Sequence, residues 1–238
     1  MKKITFLLLA ILAISFTSCK DDEDENTDTT ETEVNSNTQI NTDGKTGTVT
    51  DAQGNSYAIV KIGDQWWMAE NLKATTYNDG TAIPNVTDAT AWAALTTGAY
   101  CDYNNSTANG TKYGHLYNWY TVNTGKLAPT GWHVPTDAEW TTLQNYLIAN
   151  GYNYDATTTD NKIAKALAAK TDWNTSITTG APGNTLSTNN STGFSALPGG
   201  NRGSAGSFGD LGYGSWWSAT ENSSTRAWGR TLVYASAG

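Results

Sequence analysis

Histidine and cysteine are the side chains best suited to nucleophilic or metal chemistry, and this 238-residue chain contains two of each. His115 follows a glycine, and His133 lies between Trp132 and Val134. Neither histidine has a second His or Cys at the spacing of a metal site. Cys101 stands in a predicted strand, where it is expected to act as a small buried hydrophobic residue. We therefore expect no metal, no cofactor and no catalytic histidine or cysteine.

Carboxylates offer a second route to catalysis, through a pair of acids. Glu70, Asp79, Asp137 and Glu139 could form such a pair only by tertiary contact, so the sequence predicts no particular pair. Ser195 stands in Gly-Phe-Ser-Ala-Leu, which departs from the Gly-x-Ser-x-Gly pattern of a nucleophile elbow. An enzyme that uses carboxylates stays open as an alternative.

The stretch at 201–230 is rich in glycine and serine, yet it also carries aromatic and charged residues. Aromatic residues among small polar neighbours are typical of an adaptable binding surface. Sugar rings can stack on the aromatic groups while Asn, Asp and Arg bond the hydroxyls. The candidate ligand contacts are Asn201, Arg202, Phe208, Asp210, Tyr213, Trp228 and Arg230. The alternative is a turn-rich connection whose aromatic residues fold back onto Trp216 and Trp217.

The N-terminus has the pattern of an export signal. Lys2 and Lys3 precede an apolar run at 4–16, which is shorter than the roughly 20 residues that span a bilayer and suits a signal-peptide core. Two small residues then precede Cys19. This pattern resembles a bacterial lipoprotein signal, in which the thiol receives a diacylglyceryl group and the peptidase cuts before it. The resemblance implies a signal peptide at 1–18 and lipidation of Cys19; a secretory signal that leaves Cys19 free is the alternative.

An acidic block at 20–25 follows the lipidation site, and the chain then stays polar to about residue 46. The block resembles the signal that sends lipoproteins of Bacteroidota-type bacteria to the outer face of the outer membrane. A self-repelling spacer is the simpler interpretation, and both can hold. Such a segment buries too little to offset its ordering entropy, so we expect a disordered acidic tether at 19–46. The expected location is the cell exterior, with the outer membrane as a partner through the lipid.

The charge balance argues against nucleic acid as a partner. Fourteen Lys and Arg face twenty-two Asp and Glu, which gives a formal net charge of −8, whereas binding to phosphates requires a basic face. Eight of the acids lie in residues 20–33, so the acidity belongs mostly to the tether. We draw no inference about a cationic ligand from it.

Short apolar and alternating runs predict several strands, and the first two are joined by a turn at 51–55. The predicted strands occupy residues 48–50, 56–62, 65–69, 99–103, 193–200, 216–218 and 227–234.

Helices are predicted between these groups of strands. A short helix at 89–95 precedes the main amphipathic helix at 136–150. Thr136 and Glu139 have the spacing of a capping box at its start, and a weaker helix is predicted at 161–170. Strands at both ends with two or three helices between them indicate an α+β domain rather than alternating βαβ units.

Five ordered motifs carry a family resemblance. They are IGDQWWMAENL at 62–72, YGHLYNWY at 113–120, PTGWHVPTDAEW at 129–140, GFSALPGG at 193–200 and WWSATE at 216–221. Together they resemble the Fibrobacter succinogenes major paralogous domain over residues 47–234. That family is similar to the C-type-lectin-like and sulfatase-modifying-factor-like (formylglycine-generating-enzyme) folds, so the resemblance implies a compact, loop-rich α+β core.

The chain departs from these families in two ways. Ala128 stands where family members often carry a cysteine, and residues 174–238 contain no cysteine. The oxidising chemistry of the formylglycine-generating enzymes is therefore not carried over. The chain also stops at residue 238, where the family usually continues through a last strand. We expect the domain at 47–238 to lack that strand and to leave a sheet edge unpaired.

The expected function is that of a lipid-anchored surface protein whose non-catalytic domain recognises a glycan or a protein partner. A glycan-active enzyme of the cell surface that relies on carboxylates is the first alternative. A structural module of the envelope is the second. A concave aromatic patch would favour recognition, and two carboxylates facing each other in an open cleft would favour catalysis.

Overall fold

Residues 37–223 and 226–238 are described by a computed structural model of the chain, and they form a mixed α/β domain with several antiparallel sheets. The predicted signal peptide at 1–18, the lipidation site Cys19 and the first part of the predicted tether, up to residue 36, lie outside the described residues.

Short elements joined by loops make up the described chain. The strands are β1 Thr38–Ile40, β2 Thr46–Thr50, β3 Ser56–Ile62, β4 Gln65–Met68, β5 Tyr100–Cys101, β6 Leu116–Tyr117, β7 Tyr213–Ser223 and β8 Arg226–Val233. The helices are α1 Ala89–Ala93, α2 Thr107–Tyr113, α3 Trp119–Val122, α4 Asp137–Ala149 and α5 Ala164–Leu167, with 3-10 turns at Tyr103–Asn105 and Leu186–Thr188. None of these described helices is both long and apolar enough to cross a bilayer.

The first four strands pair antiparallel in the order β1-β2-β3-β4, which confirms the predicted hairpin and third strand. The turn between β2 and β3 is held by Asp51, whose carboxylate accepts the backbone N–H groups of Gln53 and Asn55 and the hydroxyl of Tyr57. Tyr57 and Ile59 alternate with exposed residues along β3 and are 1% and 2% exposed. The sheet therefore has one face in the core, as its period-two pattern predicts.

The domain begins earlier than the sequence predicts, because part of the expected disordered tether at 19–46 is a strand. Thr38, Gln39 and Ile40 of β1 pair with Val49, Thr48 and Gly47 of β2. Thr38 and Ile40 point inward and are buried, so two inward side chains suffice once the neighbouring strand satisfies the backbone. The domain boundary predicted at residue 47 is therefore wrong, because the domain already includes β1. The strand is hard to predict, since Ile40 is its one aliphatic residue and the surrounding sequence is polar.

The main helix forms where the capping box places it. Thr136 Oγ1 accepts the N–H of Glu139, and the Glu139 carboxylate accepts the N–H of Thr136. Trp140, Leu143 and Leu147 are buried from one face of α4 and pack in the largest core cluster with Trp67. The predicted helix at 136–150 is confirmed to within one residue at each end.

Removal of the Thr136 hydroxyl tests how much this helix start stabilises the domain. Thr136→Ala is expected to lower the free energy of unfolding by about 1 kcal/mol, because the N–H of Glu139 loses its acceptor. Urea unfolding followed by circular dichroism measures the change. Thr142→Ala, at an exposed position of the same helix, is the control and is expected to stay within about 0.5 kcal/mol. Equal losses in the two variants would contradict the prediction.

The last two strands form the hairpin β7–β8. β7 extends beyond the predicted residues 216–218 at both ends, and β8 matches the predicted strand at 227–234 to within one residue at each end. The strand predicted at 193–200 is wrong. That segment forms only isolated bridges, Ala168 with Ala196 and Gly200 with Gly214. Positive φ angles at Gly193, Ser195 and Gly200 interrupt the extended backbone that a strand requires.

Candidate functional site

A cavity of about 570 Å³ opens among the described residues, and its volume is within the usual range of small-molecule sites. Its walls come from β4, β6, the segment before α4, the segment at 194–204 and the β7–β8 hairpin. Seven of the ten tryptophans of the chain line it. We name it the tryptophan cleft after the four of these that keep accessible surface: Trp66, Trp132, Trp216 and Trp217.

Three of these four rings are held in place through their indole nitrogens. Nε1 of Trp132 donates to Thr38 Oγ1 at 3.0 Å, and Nε1 of Trp216 donates to Asn71 Oδ1 at 3.0 Å. Nε1 of Trp217 donates to a backbone carbonyl in β6 at 2.8 Å. The polar edge of each ring is thus satisfied by the protein, while part of its apolar surface stays accessible. Rings fixed in this way lose little entropy when a ligand stacks on them.

Buried aromatic residues support the cleft from beneath. The rings of Trp67 and Trp140 lie 4.7 Å apart, and Phe194 lies 5.9 Å from the first and 6.1 Å from the second. Nε1 of Trp140 donates to the carbonyl of Trp217 at 3.2 Å. The hairpin that carries Trp217 is therefore attached directly to helix α4 and to the largest core cluster.

A second cavity of about 280 Å³ shares five lining residues with the cleft, including Trp66, Trp132 and His133. At its edge, His133 Nε2 lies 2.8 Å from Glu139 Oε1. Burial raises the pKa of Glu139, but hydrogen bonds from Thr136 and His133 outweigh this effect and hold that pKa below its usual value. The stabilisation from this carboxylate is thus present above the usual glutamate pKa and is lost as the pH falls through the lowered value.

Polar side chains complete the tryptophan cleft. Asn71 is fixed between Trp216 and the carbonyl of Tyr113, to which its Nδ2 donates at 2.8 Å. Ser215 and Thr231 stand opposite each other on the hairpin, with their hydroxyl oxygens 3.4 Å apart. His115 also lines the cleft. The arrangement combines accessible aromatic surface with neutral hydrogen-bonding groups.

The family model of the Fibrobacter succinogenes major domain matches residues 60–237. The chain belongs to this family. No curated protein and no solved structure matches the chain. The match to the major domain begins within β3, so β1, β2 and the first part of β3 precede it. Even so, β1 supplies Thr38, which holds Trp132 of the major domain.

The family motifs quoted for the major domain meet at one place. The Trp-Trp pairs at 66–67 and 216–217, together with Trp132, line the tryptophan cleft although 150 residues separate the two pairs. Four residues that line the cleft were not predicted as site residues from the sequence: Trp66, Asn71, His115 and Trp132. A signal was present, because large aromatic residues recur in the motifs of the major domain, but it indicates a core as readily as a site.

The residues predicted as ligand contacts in the major domain do not form one group. Asn201, Arg202 and Arg230 line the cleft. Arg230 is engaged with α4, with its Nη1 2.6 Å from Asp137 Oδ1. Phe208 packs edge-on to Tyr103 at 5.5 Å rather than projecting as a free aromatic.

Arg202 and Phe208 fit the alternative of a connection folded back on the domain, with one correction. The partners of this connection are Trp92 and Tyr103, not Trp216 and Trp217. Each of the remaining three predicted contacts has its own place: Asp210 is exposed, Tyr213 packs against Tyr234 at 6.5 Å, and Trp228 is 48% exposed on β8. These three are not among the residues that line the cleft.

The candidate carboxylates of the major domain are engaged separately. Asp79 lies 2.8 Å from Lys126, whose hydrogen bond holds the pKa of Asp79 well below its usual value. Glu70 Oε1 accepts the N–H of Ala58 at 2.9 Å. Among the described residues lining the cleft, Glu70 is the one carboxylate. The same described part of the chain holds no cluster of three or more His, Cys, Asp or Glu that could bind a metal.

Proposed function

We propose that this protein is a lipid-anchored recognition protein of the cell surface and that its tryptophan cleft binds a glycan. The observation that carries the proposal is the group of four accessible indole rings, three of them held by hydrogen bonds, in the walls of one cavity of about 570 Å³. Sugar rings present apolar C–H faces and polar edges, so they match aromatic walls interspersed with Asn71, Ser215 and Thr231. The same cleft could instead recognise a protein partner, which is the second candidate ligand of this recognition domain.

The fold supports this choice in outline. In chain order, strands stand at both ends and the helices lie between them, and long loops connect these elements. We propose that this arrangement is the C-type-lectin-like or sulfatase-modifying-factor-like fold that the family resemblance implies. Loops held on a rigid core are the usual place for recognition.

The carboxylates that line the two cavities already accept hydrogen bonds from the protein, which favours recognition over hydrolysis. A glycosidase with two acids places them about 5–10 Å apart across the scissile bond. In the described residues, Glu70 lines the tryptophan cleft and Glu139 lines the smaller cavity, and each already accepts backbone hydrogen bonds. We therefore propose a binding function without catalysis.

The anchor completes the proposal. Acylated Cys19 would hold the protein in the outer membrane, and the acidic block at 20–25 would direct it to the outer face. A surface location would bring the cleft into contact with external glycans. Mass spectrometry of the mature N-terminus tests the anchor, and an unmodified cysteine there would contradict it.

Truncation of one indole tests the cleft. Trp217→Ala is expected to weaken binding of a neutral oligosaccharide about 10–30-fold, or ~1.4–2 kcal/mol, because the ring is 37% exposed in the cavity wall. The probes are hexaoses of glucose, mannose and xylose, and isothermal titration measures the affinity. Trp66→Ala, from another wall, is expected to lose a similar amount.

Trp228→Ala provides the matched control, because Trp228 lies on the same hairpin but is not among the cleft residues. It is expected to bind as the wild type does. A loss in Trp228→Ala but not in Trp217→Ala would move the site to the other predicted residues. Binding of no hexaose by the wild type would favour the structural envelope module instead.

A further inference from the structure

Asp102 and His115 form a hydrogen-bonded pair beside the tryptophan cleft. Nδ1 of His115 lies 2.7 Å from Oδ1 of Asp102, and the two side chains are only 15% and 8% exposed. Helix α2 makes room for the carboxylate at Gly110, where a Cβ atom would overlap Asp102. The pair is therefore built into the domain.

The aromatic neighbours of His115 fix the plane of its ring. The ring centres of Tyr100 and Tyr117 lie 4.6 Å and 6.3 Å from it. The backbone N–H of His115 donates to Leu72 O at 3.0 Å, which holds the base of the side chain. With Nδ1 directed at Asp102, the opposite edge of the ring carries Nε2.

Nε2 of His115 has no hydrogen-bond partner in the described part of the chain. Across that same part of the chain, the one buried side-chain nitrogen or oxygen without a partner is Nε1 of Trp67. Nε2 is therefore accessible, and His115 is one of the residues that line the tryptophan cleft.

We propose that Asp102 keeps the proton of His115 on Nδ1, so that the lone pair of Nε2 selects a ligand hydroxyl in the cleft. A carboxylate only accepts hydrogen bonds, so it stabilises the tautomer whose Nδ1 donates. On the neutral ring Nε2 is then an acceptor and requires a donor on the ligand. This inference rests on the proposed function, because it names which glycan groups the same cleft recognises.

The two arginines that line the cleft already have partners within the protein, which favours a neutral ligand over an acidic one. Arg202 donates to the carbonyls of Val86 and Thr87, and Arg230 is paired with Asp137. Both arginines that line the cleft are thus occupied. A sugar carboxylate would face the Nε2 lone pair without a free cation to balance it, so the class of ligand is a neutral glycan.

His115→Asn separates the two nitrogens, because its Nδ2 can replace Nδ1 as the donor to Asp102 while nothing replaces Nε2. The variant is expected to bind the neutral hexaoses about tenfold more weakly, which corresponds to one hydrogen bond. Tyr120→Phe, which removes an exposed hydroxyl in α3, is the control and is expected to change affinity less than twofold. Hexagalacturonate is the acidic probe, and it is expected to bind more weakly than the neutral hexaoses.

Nitrogen-15 NMR of the imidazole supplies a readout that a merely structural role would not change. In the wild type, the neutral His115 ring is expected to carry its proton on Nδ1, and Asp102→Asn is expected to shift the population of the two tautomers. A proton on Nε2 in the wild type, or preference for hexagalacturonate, would overturn the inference.

The failures of the two proposals are distinguishable. Equal binding by the wild type and His115→Asn would overturn this inference while leaving the cleft as a glycan site. Binding of no hexaose by the wild type would remove the proposed function and this selection with it, whatever the tautomer.

Discussion

Arg202→Ala is expected to lower the free energy of unfolding by about 2–4 kcal/mol, far more than a typical surface substitution. The guanidinium donates through Nη1 to Val86 O at 2.7 Å, through Nη2 to Thr87 O at 2.8 Å and through Nε to Gly206 O at 3.0 Å. One planar side chain therefore joins two segments that are more than 110 residues apart. Its loss would remove the side-chain donor from the carbonyls of Val86 and Gly206, while Thr87 O would keep the hydrogen bond from Asn105 Nδ2.

Aromatic contacts add to these hydrogen bonds. The Arg202 guanidinium carbon lies 4.5 Å from the ring centre of Trp92 and 4.8 Å from that of Phe208. A cation over a partly desolvated aromatic ring contributes about 0.5–2 kcal/mol. Arg202→Lys keeps the charge but lacks the planar fork, so we expect it to recover less than half of the loss.

Thermal and urea unfolding of the purified domain measure this effect, with Arg226→Ala as the control. Arg226 is exposed at the start of β8, and its replacement is expected to change stability by less than about 0.5 kcal/mol. Similar stabilities for Arg202→Ala and Arg226→Ala would contradict the structural role. A loss of ligand binding in Arg202→Ala must be compared with its stability, since a loosened loop would weaken binding without any direct contact.

Arg202 also shows where sequence reasoning reaches its limit. An arginine in a glycine-rich loop is chemically suited to bind a sugar, and the sequence predicts that role. Its actual partners are backbone carbonyls at 86 and 87, which carry no residue-specific signal. Contacts to the main chain of a distant segment are decided by the tertiary path of the loop.

Local patterns were predictable where neighbours along the chain supply the energy. The capping box of α4 depends on two residues three positions apart, and the β2–β3 hairpin depends on one turn. The strand β1 was missed because its stabilisation comes from β2 and from Trp132, 94 residues from Thr38. The tryptophan cleft was missed for the same reason, as its walls come from distant motifs.

Gly214→Ala is expected to lower the free energy of unfolding by about 3 kcal/mol, the upper part of the usual range for overpacking. A Cβ atom at this position would overlap the six-membered ring of Trp216 and would lie 2.7 Å from the backbone oxygen of Leu197. The ring could turn, but the carbonyl belongs to a buried segment and cannot move freely. The hairpin must therefore separate from that segment.

The same substitution is expected to disturb the tryptophan cleft, because displacement of Trp216 breaks its hydrogen bond to Asn71. Gly203→Ala is the matched control: its nearest atoms, in Ser207, are 3.7 Å away, and its backbone needs no positive φ. That variant is expected to be neutral or stabilised by up to about 1 kcal/mol through the unfolded state.

Combining Gly214→Ala with Trp216→Phe identifies the cause of the loss. Phenylalanine lacks the outer part of the indole ring that meets the new methyl group, so the double variant is expected to recover part of the stability that Gly214→Ala loses. The matching single variant, Trp216→Phe, completes a double-mutant cycle. Additive losses would mean that the ring is not the obstacle and that the carbonyl of Leu197 alone excludes a side chain at residue 214.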